Sequence, residues 1–223
     1  MNKNQGFSLI EMAVVLVILG LIISTLLTPL GVQRDLKDIN GTQLNLKLIN
    51  EAIYGFVVLN GRLPCPTTQA NPANANYGLE DCSITTEGYL PWRTLGVTAT
   101  DEWGTLRQAT TDPWNGYWRY RRDQNYSTVA LFSTNISAAV PAYAPSDALS
   151  VVNSAGIQLT SNTERPIAII YSTGKDLLAN GQNSGVVNSV YESNESTSTF
   201  DDMVIWISRP VLVNRLVTAG KLP

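Results

Sequence analysis

Two positions near the start of the chain are placed to do chemistry together. Glu11 sets one carboxylate inside an apolar run that continues to Leu27, and the Gly6-Phe7 junction lies just before it. A charged side chain in a membrane-length apolar segment costs roughly 2.5–3.5 kcal/mol at mid-bilayer, and less near an end. Something must compensate it. A cut after Gly6 would give Phe7 a free, positively charged amine, about 6 Å from Glu11 along a helix axis at 1.5 Å rise per residue. The carboxylate could then pair with the amine of its own chain or of a neighbour, and bundled N-terminal helices would neutralise both. An ordinary secretory signal ends its apolar region at a small-residue cleavage site. Here the run closes Ser24-Thr25-Leu26-Leu27-Thr28-Pro29 without one. A plain membrane anchor explains neither the junction nor Glu11.

The short polar leader Met1–Gly6 with Lys3, glycine before the cut, phenylalanine after it, and Glu11 together resemble the type IV prepilin family, which includes the pseudopilins of type II secretion. The resemblance is specific over residues 3–30. It implies cleavage after Gly6 by a membrane-embedded aspartyl peptidase, the prepilin peptidase, N-methylation of the new Phe7 amine, and a part for Phe7 and Glu11 in assembly.

Composition removes most enzymes. There is no histidine, which excludes Ser-His-Asp and Cys-His catalysis and histidine-held zinc or haem. Two cysteines are too few for an all-thiolate metal site. A net charge of −3 gives no bulk attraction for nucleic acid. Cys65 and Cys82 fall in a segment expected outside the cytoplasm, where two such cysteines favour a disulfide over free thiols. Closing that loop stabilises the fold by roughly 3 kcal/mol in the chain-entropy model. The intervening Pro66–Asp81 stretch has little apolar content of its own.

These residues must be positioned by the elements around them. The span from residue 7 reads as a membrane or filament-core helix reaching residue 30, with Gly20 and Pro29 inside it. In the family such helix breakers permit local extension. Beyond Gly31, Leu36, Ile39, Leu46, Ile49, Ile53 and Phe56 mark one face of an amphipathic helix ending before Asn60-Gly61. Four boundaries follow: leader 1–6, span 7–30, amphipathic half 31–59 and a β-rich head 60–223. Strands are expected at Tyr117–Arg122, Thr128–Ser133, Ile167–Ser172 and Met203–Ser208. Residues 134–165 read as an irregular insertion with at most a small hairpin. Ser208-Arg209-Pro210 opens a last helix that Gly220 ends, with Val211, Leu212, Arg215 and Leu216 on one face. The fold class is α+β: one long N-terminal helix packed on a small, mostly antiparallel sheet.

Trp92, Trp103, Trp114, Tyr117, Trp118 and Tyr120 read as core rather than as a sugar platform. Arg119, Arg121 and Arg122 read as a solvated strand face rather than a single-strand DNA site. Two head segments resemble those of the major pseudopilins: Asp112-Pro113-Trp114-Asn115-Gly116 before an aromatic strand, and Ser172-Thr173-Gly174-Lys175-Asp176 with the later Asp201-Asp202 pair. The second resemblance implies a calcium-holding loop through Asp176, Asp201 and Asp202. Its length, its sparse glycines and the extension after Trp206 depart from that pattern. Read from residues alone, Asp and Asn there equally suit a solvated loop of turns. The expected protein has no catalytic residue. It is a structural subunit of a pilus-like or pseudopilus filament, inserted in the inner membrane before polymerising outside it. Its partners are itself, other pilins, the peptidase and an inner-membrane assembly platform. The competing reading is a minor, tip-located pilin whose head binds a surface, carbohydrate or DNA.

Overall fold

A computed structural model describes residues 8–69, 71–103, 116–127, 145–163, 165–185 and 189–222, with backbone alone at 24–30. Helix α1 spans Leu9–Asn60, 52 residues, and is continuous through Gly20 and Pro29. The chain divides into two units, Met1–Asn40 and Gly41–Pro223, so the boundary falls within α1. In the first unit the apolar side chains from Leu9 to Ile23 are open to solvent, Leu9 at 92%, Leu16 at 68% and Leu21 at 65%, while Ile39 is half-buried.

In the second unit, α1 buries one stripe. Leu46, Ile49 and Ile53 lie in it as the spacing predicts, joined by Tyr54 and Val57, while Phe56 is only half-buried. Leu36 stays exposed because the buried stripe begins later, at Thr42. Beside it, a Cβ on Gly41 would sit 2.6 Å from Glu102 Cγ, so a larger residue would push that segment away. The helix stops where Asn60-Gly61 predicts. Gly61 adopts φ +70° and its N–H donates to Val57 O at 2.8 Å, a left-handed cap that glycine takes without strain.

Strands β1 (Gly88–Tyr89), β2 (Arg119–Arg122), β4 (Pro166–Ser172) and β6 (Met203–Ser208) form one antiparallel sheet in the order β1-β2-β4-β6. Strand β4 is buried along its whole length, which accounts for its unbroken apolar sequence. Its Ala168 and Ile170 pack with Ile49, Ile53, Trp118 and Tyr120; its Ile169 and Tyr171 pack with Leu149, Val151 and Tyr191. A short helix α2 covers Trp92–Leu95, and helix α3, Arg209–Thr218, follows β6 directly. Leu212 and Leu216 of α3 enter the core, while Arg215 pairs with Glu51 at 2.6 Å and Val211 remains exposed.

Three expectations need correction or limits. Strand β3 (Ser150–Val152), inside the stretch read as irregular, pairs with β5 (Val190–Glu192) and does so in parallel. The arginines of β2 are no solvated face. Arg121 and Arg122 are 8% and 4% exposed. Arg121 lies 3.9 Å from Asp147, and Arg119 lies 3.7 Å from the buried Glu87. The expectation fails because distant segments cover these side chains: Glu87 and Asp147 meet Arg119 and Arg121, and Ile84 O accepts from Arg122 at 3.0 Å. The expected strand Thr128–Ser133, Asp112 and Trp114 lie outside the described residues. Trp92, Trp103, Trp118 and Tyr120 are buried and belong to the core.

Cys65 and Cys82 are joined in a disulfide, with Cα atoms 5.0 Å apart. It staples a loop that is also tied to the head by the Arg62–Glu80 pair at 2.6 Å and by the Arg93 side chain, which donates to Ala75 O and Tyr77 O. Cys65→Ser is expected to destabilise the second unit by roughly 3 kcal/mol, read as a lowered thermal midpoint. A thiol count on the unreduced, denatured native chain should return none, and two free thiols would contradict the bridge.

Candidate functional site

The first turn of α1 is built around the residue expected to carry assembly. Ser8 precedes the helix and Glu11 closes its first turn. The Ser8 N–H donates to Glu11 Oε2 at 2.8 Å, and the Glu11 N–H donates back to Ser8 Oγ at 3.3 Å. This is a reciprocal capping box, in which two orphan donors of the helix start satisfy each other's residues. The Ser8-Leu9-Ile10-Glu11 spacing carried that signal, which the reading of Glu11 as a bare membrane charge passed over. Gly6 and Phe7 lie outside the described residues.

A second polar centre forms where the chain leaves β4 and returns to β6. Gly174 takes φ +63°, and a Cβ there would meet Asp201 O at 2.5 Å. That turn lets Asp201 Oδ2 accept the N–H groups of Lys175 at 2.6 Å and Asp176 at 3.0 Å. Asp176 caps in turn, accepting from Leu178 N at 2.8 Å and Asn180 Nδ2 at 3.1 Å. Asp202 faces other partners: its Oδ2 accepts from Asn180 N and Asn183 Nδ2, both at 2.8 Å. Asn183 also grips both backbone groups of Glu192. Asn180 and Asn183 were invisible as site residues in sequence, since their role depends on where the loop returns.

The electrostatics of this centre are unbalanced. Burial pushes the Asp202 carboxyl up to about 7, helped by the charges of Asp201 and Asp176 and opposed by its two hydrogen bonds. Burial, and then the Asp176 carboxylate, also hold Asp201 above the ordinary range. Asp201 Oδ1 and Asp202 Oδ1 are buried with no hydrogen-bond partner. Unpaired buried carboxylate oxygens suit a hard cation, which takes oxygen ligands alone. The Asp176 and Asp201 side chains interact directly, and the charges of both reach Asp202. Among the described residues, the group of three potential ligand atoms within 4.8 Å of one another is Cys65, Glu80 and Cys82, where the disulfide occupies both sulfurs.

Residues 1–27 match the family model described as the prokaryotic N-terminal methylation motif. The chain carries the type IV prepilin signal. No curated protein and no solved structure matches the chain. The prepilin signal supports a pilin- or pseudopilin-like subunit, a structural protein that a prepilin peptidase processes and that works with other pilins. It also points to insertion in a membrane before filament formation. Among the described residues no helix is long and apolar enough to cross a membrane. The apolar side chains described run from Leu9 to Ile23, and the prepilin signal extends beyond them at both ends.

Proposed function

We propose that this chain is a structural subunit of a type IV pilus-like or pseudopilus filament, held in the inner membrane through residues 7–30 before it polymerises. The prepilin signal carries this reading, and the exposed apolar surface of Leu9–Ile23 supports it. That surface has no cover in the single chain, and removing it from water favours either lipid or a bundle of like helices. Phe7 and Glu11 set the register between neighbours, and the head coats the helical core. The decisive measurements are mass spectrometry of the mature chain and labelling of filaments. The mature chain should begin at N-methylated Phe7, and an N-terminus inside residues 13–28 would sink the reading.

A surface groove favours a second reading, a minor subunit with a binding head. It encloses 610 Å³ and is lined by Ser154, Gly181, Glu192, Asn194, Glu195 and Thr197, among others. Label along whole filaments indicates a major subunit, and label confined to tips indicates the minor one.

We propose calcium as a ligand of the acidic loop, with Asp176, Asp201 and Asp202 as the residues that would supply its carboxylates. The ion would neutralise the charge left unpaired at Asp201 and Asp202. The pH dependence has a definite sign. A carboxyl whose folded pKa is raised from 3.8 to about 7 binds more protons folded than unfolded. Stability from that group is therefore full below about 4 and is lost as pH rises to about 7, on the order of a few kcal/mol. Calcium competes with that proton. Millimolar calcium should raise the thermal midpoint of the full chain in detergent more at pH 8 than at pH 5.5. The shift should vanish in Asp176→Ala and Asp202→Asn, and magnesium should substitute poorly because it demands a tight octahedron. Identical melting curves in chelator and calcium at pH 8 would leave these aspartates as turn formers.

A further inference from the structure

The two ends of the disulfide sit in different chemical worlds. Cys65 is fully buried, whereas Cys82 is exposed. Cys65 Sγ lies 3.9 Å from Arg62 Nη1 and 3.7 Å from Arg122 Nη2. Arg62 is already paired with Glu80 through two contacts of 2.6 and 2.7 Å, and Glu80 also accepts the Cys65 N–H at 2.9 Å. Arg122 has no such close partner. It is 4% exposed, its Nη2 donates to Ile84 O at 3.0 Å, and its Nε and Nη1 have no hydrogen-bond partner. Carboxylates whose field reaches it include Glu80, Asp123 and Asp147, of which Asp147 also lies 3.9 Å from Arg121. Two guanidinium groups thus face Cys65 Sγ as donors, Arg62 Nη1 at 3.9 Å and Arg122 Nη2 at 3.7 Å. Cys82 has the opposite neighbour, Asp81, which Ser83 holds in its anionic form by hydrogen bonds to Oδ1.

Disulfide exchange proceeds by attack of a thiolate on one sulfur while the other departs as a thiolate. The attacked sulfur must be reachable, and a positive, donor-rich setting speeds the departing one. Both conditions select the same direction here. Burial alone would oppose a thiolate at Cys65, but Arg122 Nη2 and Arg62 Nη1 are donors already turned toward that sulfur.

We propose that the Cys65–Cys82 bridge is a directional thiol-exchange site, attacked at Cys82 by an external thiolate and releasing Cys65 as the leaving thiolate. In that step the incoming sulfur forms a bond to Cys82 Sγ, the Cys65–Cys82 bond breaks, and its electron pair stays on Cys65 beside Arg122 and Arg62. The disulfide count is unchanged. A second thiolate of the same class can then attack the incoming sulfur, leaving with it as an external disulfide and returning Cys82 as a thiolate. The head would thereby hold a thiol-bearing molecule covalently at its surface while Cys65 stays sheltered.

The test uses the full chain in detergent under native conditions. Limiting reduced glutathione is added, the mixture is quenched in acid, free thiols are alkylated and peptides are mapped. A parallel arm uses a Cys-X-X-Cys oxidoreductase lacking its resolving cysteine, which traps the protein-borne adduct. Either arm should place the adduct on Cys82 and the alkyl group on Cys65, in roughly tenfold excess over the reverse. The arm that reacts tells a small thiol from a protein dithiol. An adduct on Cys65, an even split, or no adduct in either arm before denaturation overturns the proposal. Arg122→Met should exchange at roughly a tenth of the native rate. If that variant does not fold, Arg62→Gln, whose residue is only part-buried, should still slow exchange, and an unchanged rate there removes the arginines from the mechanism.

Discussion

Gly6→Val is expected to stop maturation altogether. The residue before the cut must let the extended backbone lie close against the peptidase, and only glycine offers no Cβ to that approach. A branched side chain there leaves Met1–Gly6 attached, so the chain accumulates as a membrane-resident precursor. Electrophoresis should show one longer species, and mass spectrometry should find no methyl group on Phe7. Filaments should be absent as well, because without the cut Phe7 never acquires the charged amine that Glu11 is placed to meet. Normal processing of this variant would put the cut elsewhere and remove the basis of the register argument.

The capping box allows the charge of Glu11 to be tested apart from its hydrogen bonds. Glutamine at the same place can still accept from the Ser8 N–H, since a capping box works with either side chain. Glu11→Gln should therefore keep the helix start and lose only the charge. Glu11→Ala loses both, with the cap worth about 1 kcal/mol. If the carboxylate neutralises a neighbour's Phe7 amine, both variants insert, and more readily than the native chain, since a charge costs roughly 2.5–3.5 kcal/mol at mid-bilayer. Both should then bring sheared filament yield down to background. If only the helix start matters, glutamine restores native yield and alanine does not. That second pattern would refute the ion-pair role.

Legibility in the sequence followed local signals. Strand β6 runs Met203–Ser208, as its branched and aromatic run between Asp202 and Arg209-Pro210 predicts, and β4 begins one residue early, at Pro166. The end of α1 and the start of α3 were written in Asn60-Gly61 and Pro210 for the same reason: these residues fix backbone angles by themselves. What escaped was anything that depends on a distant return of the chain. Strands β3 and β5 have three residues each and pair across the whole of β4 and its loop, so neither carries a period of its own. Arg121 and Arg122 looked solvated because Asp147 and Ile84 O, their partners, lie on other segments. At the candidate site, the Cys65–Cys82 bridge was legible from compartment chemistry, while Asp176, Asp201 and Asp202 were named from resemblance. The roles of Asn180 and Asn183 emerged only from geometry, whereas the Ser8 cap was written in the Ser8-Leu9-Ile10-Glu11 spacing and passed over.

The core that seats α1 has a consequence for the order in which this chain can mature. Leu46, Ile49, Ile53 and Val57 are made early, yet they share one buried cluster with Leu212, Leu216 and Leu222. Glu51 likewise waits for Arg215, 164 positions later in synthesis. The ribosome therefore finishes the helix long before it delivers the residues that cover it. During that interval the apolar stripe from Leu46 to Val57 is open to any other surface, and non-local closure of this kind is slow. The stripe is therefore covered only once residues 212–222 have been made.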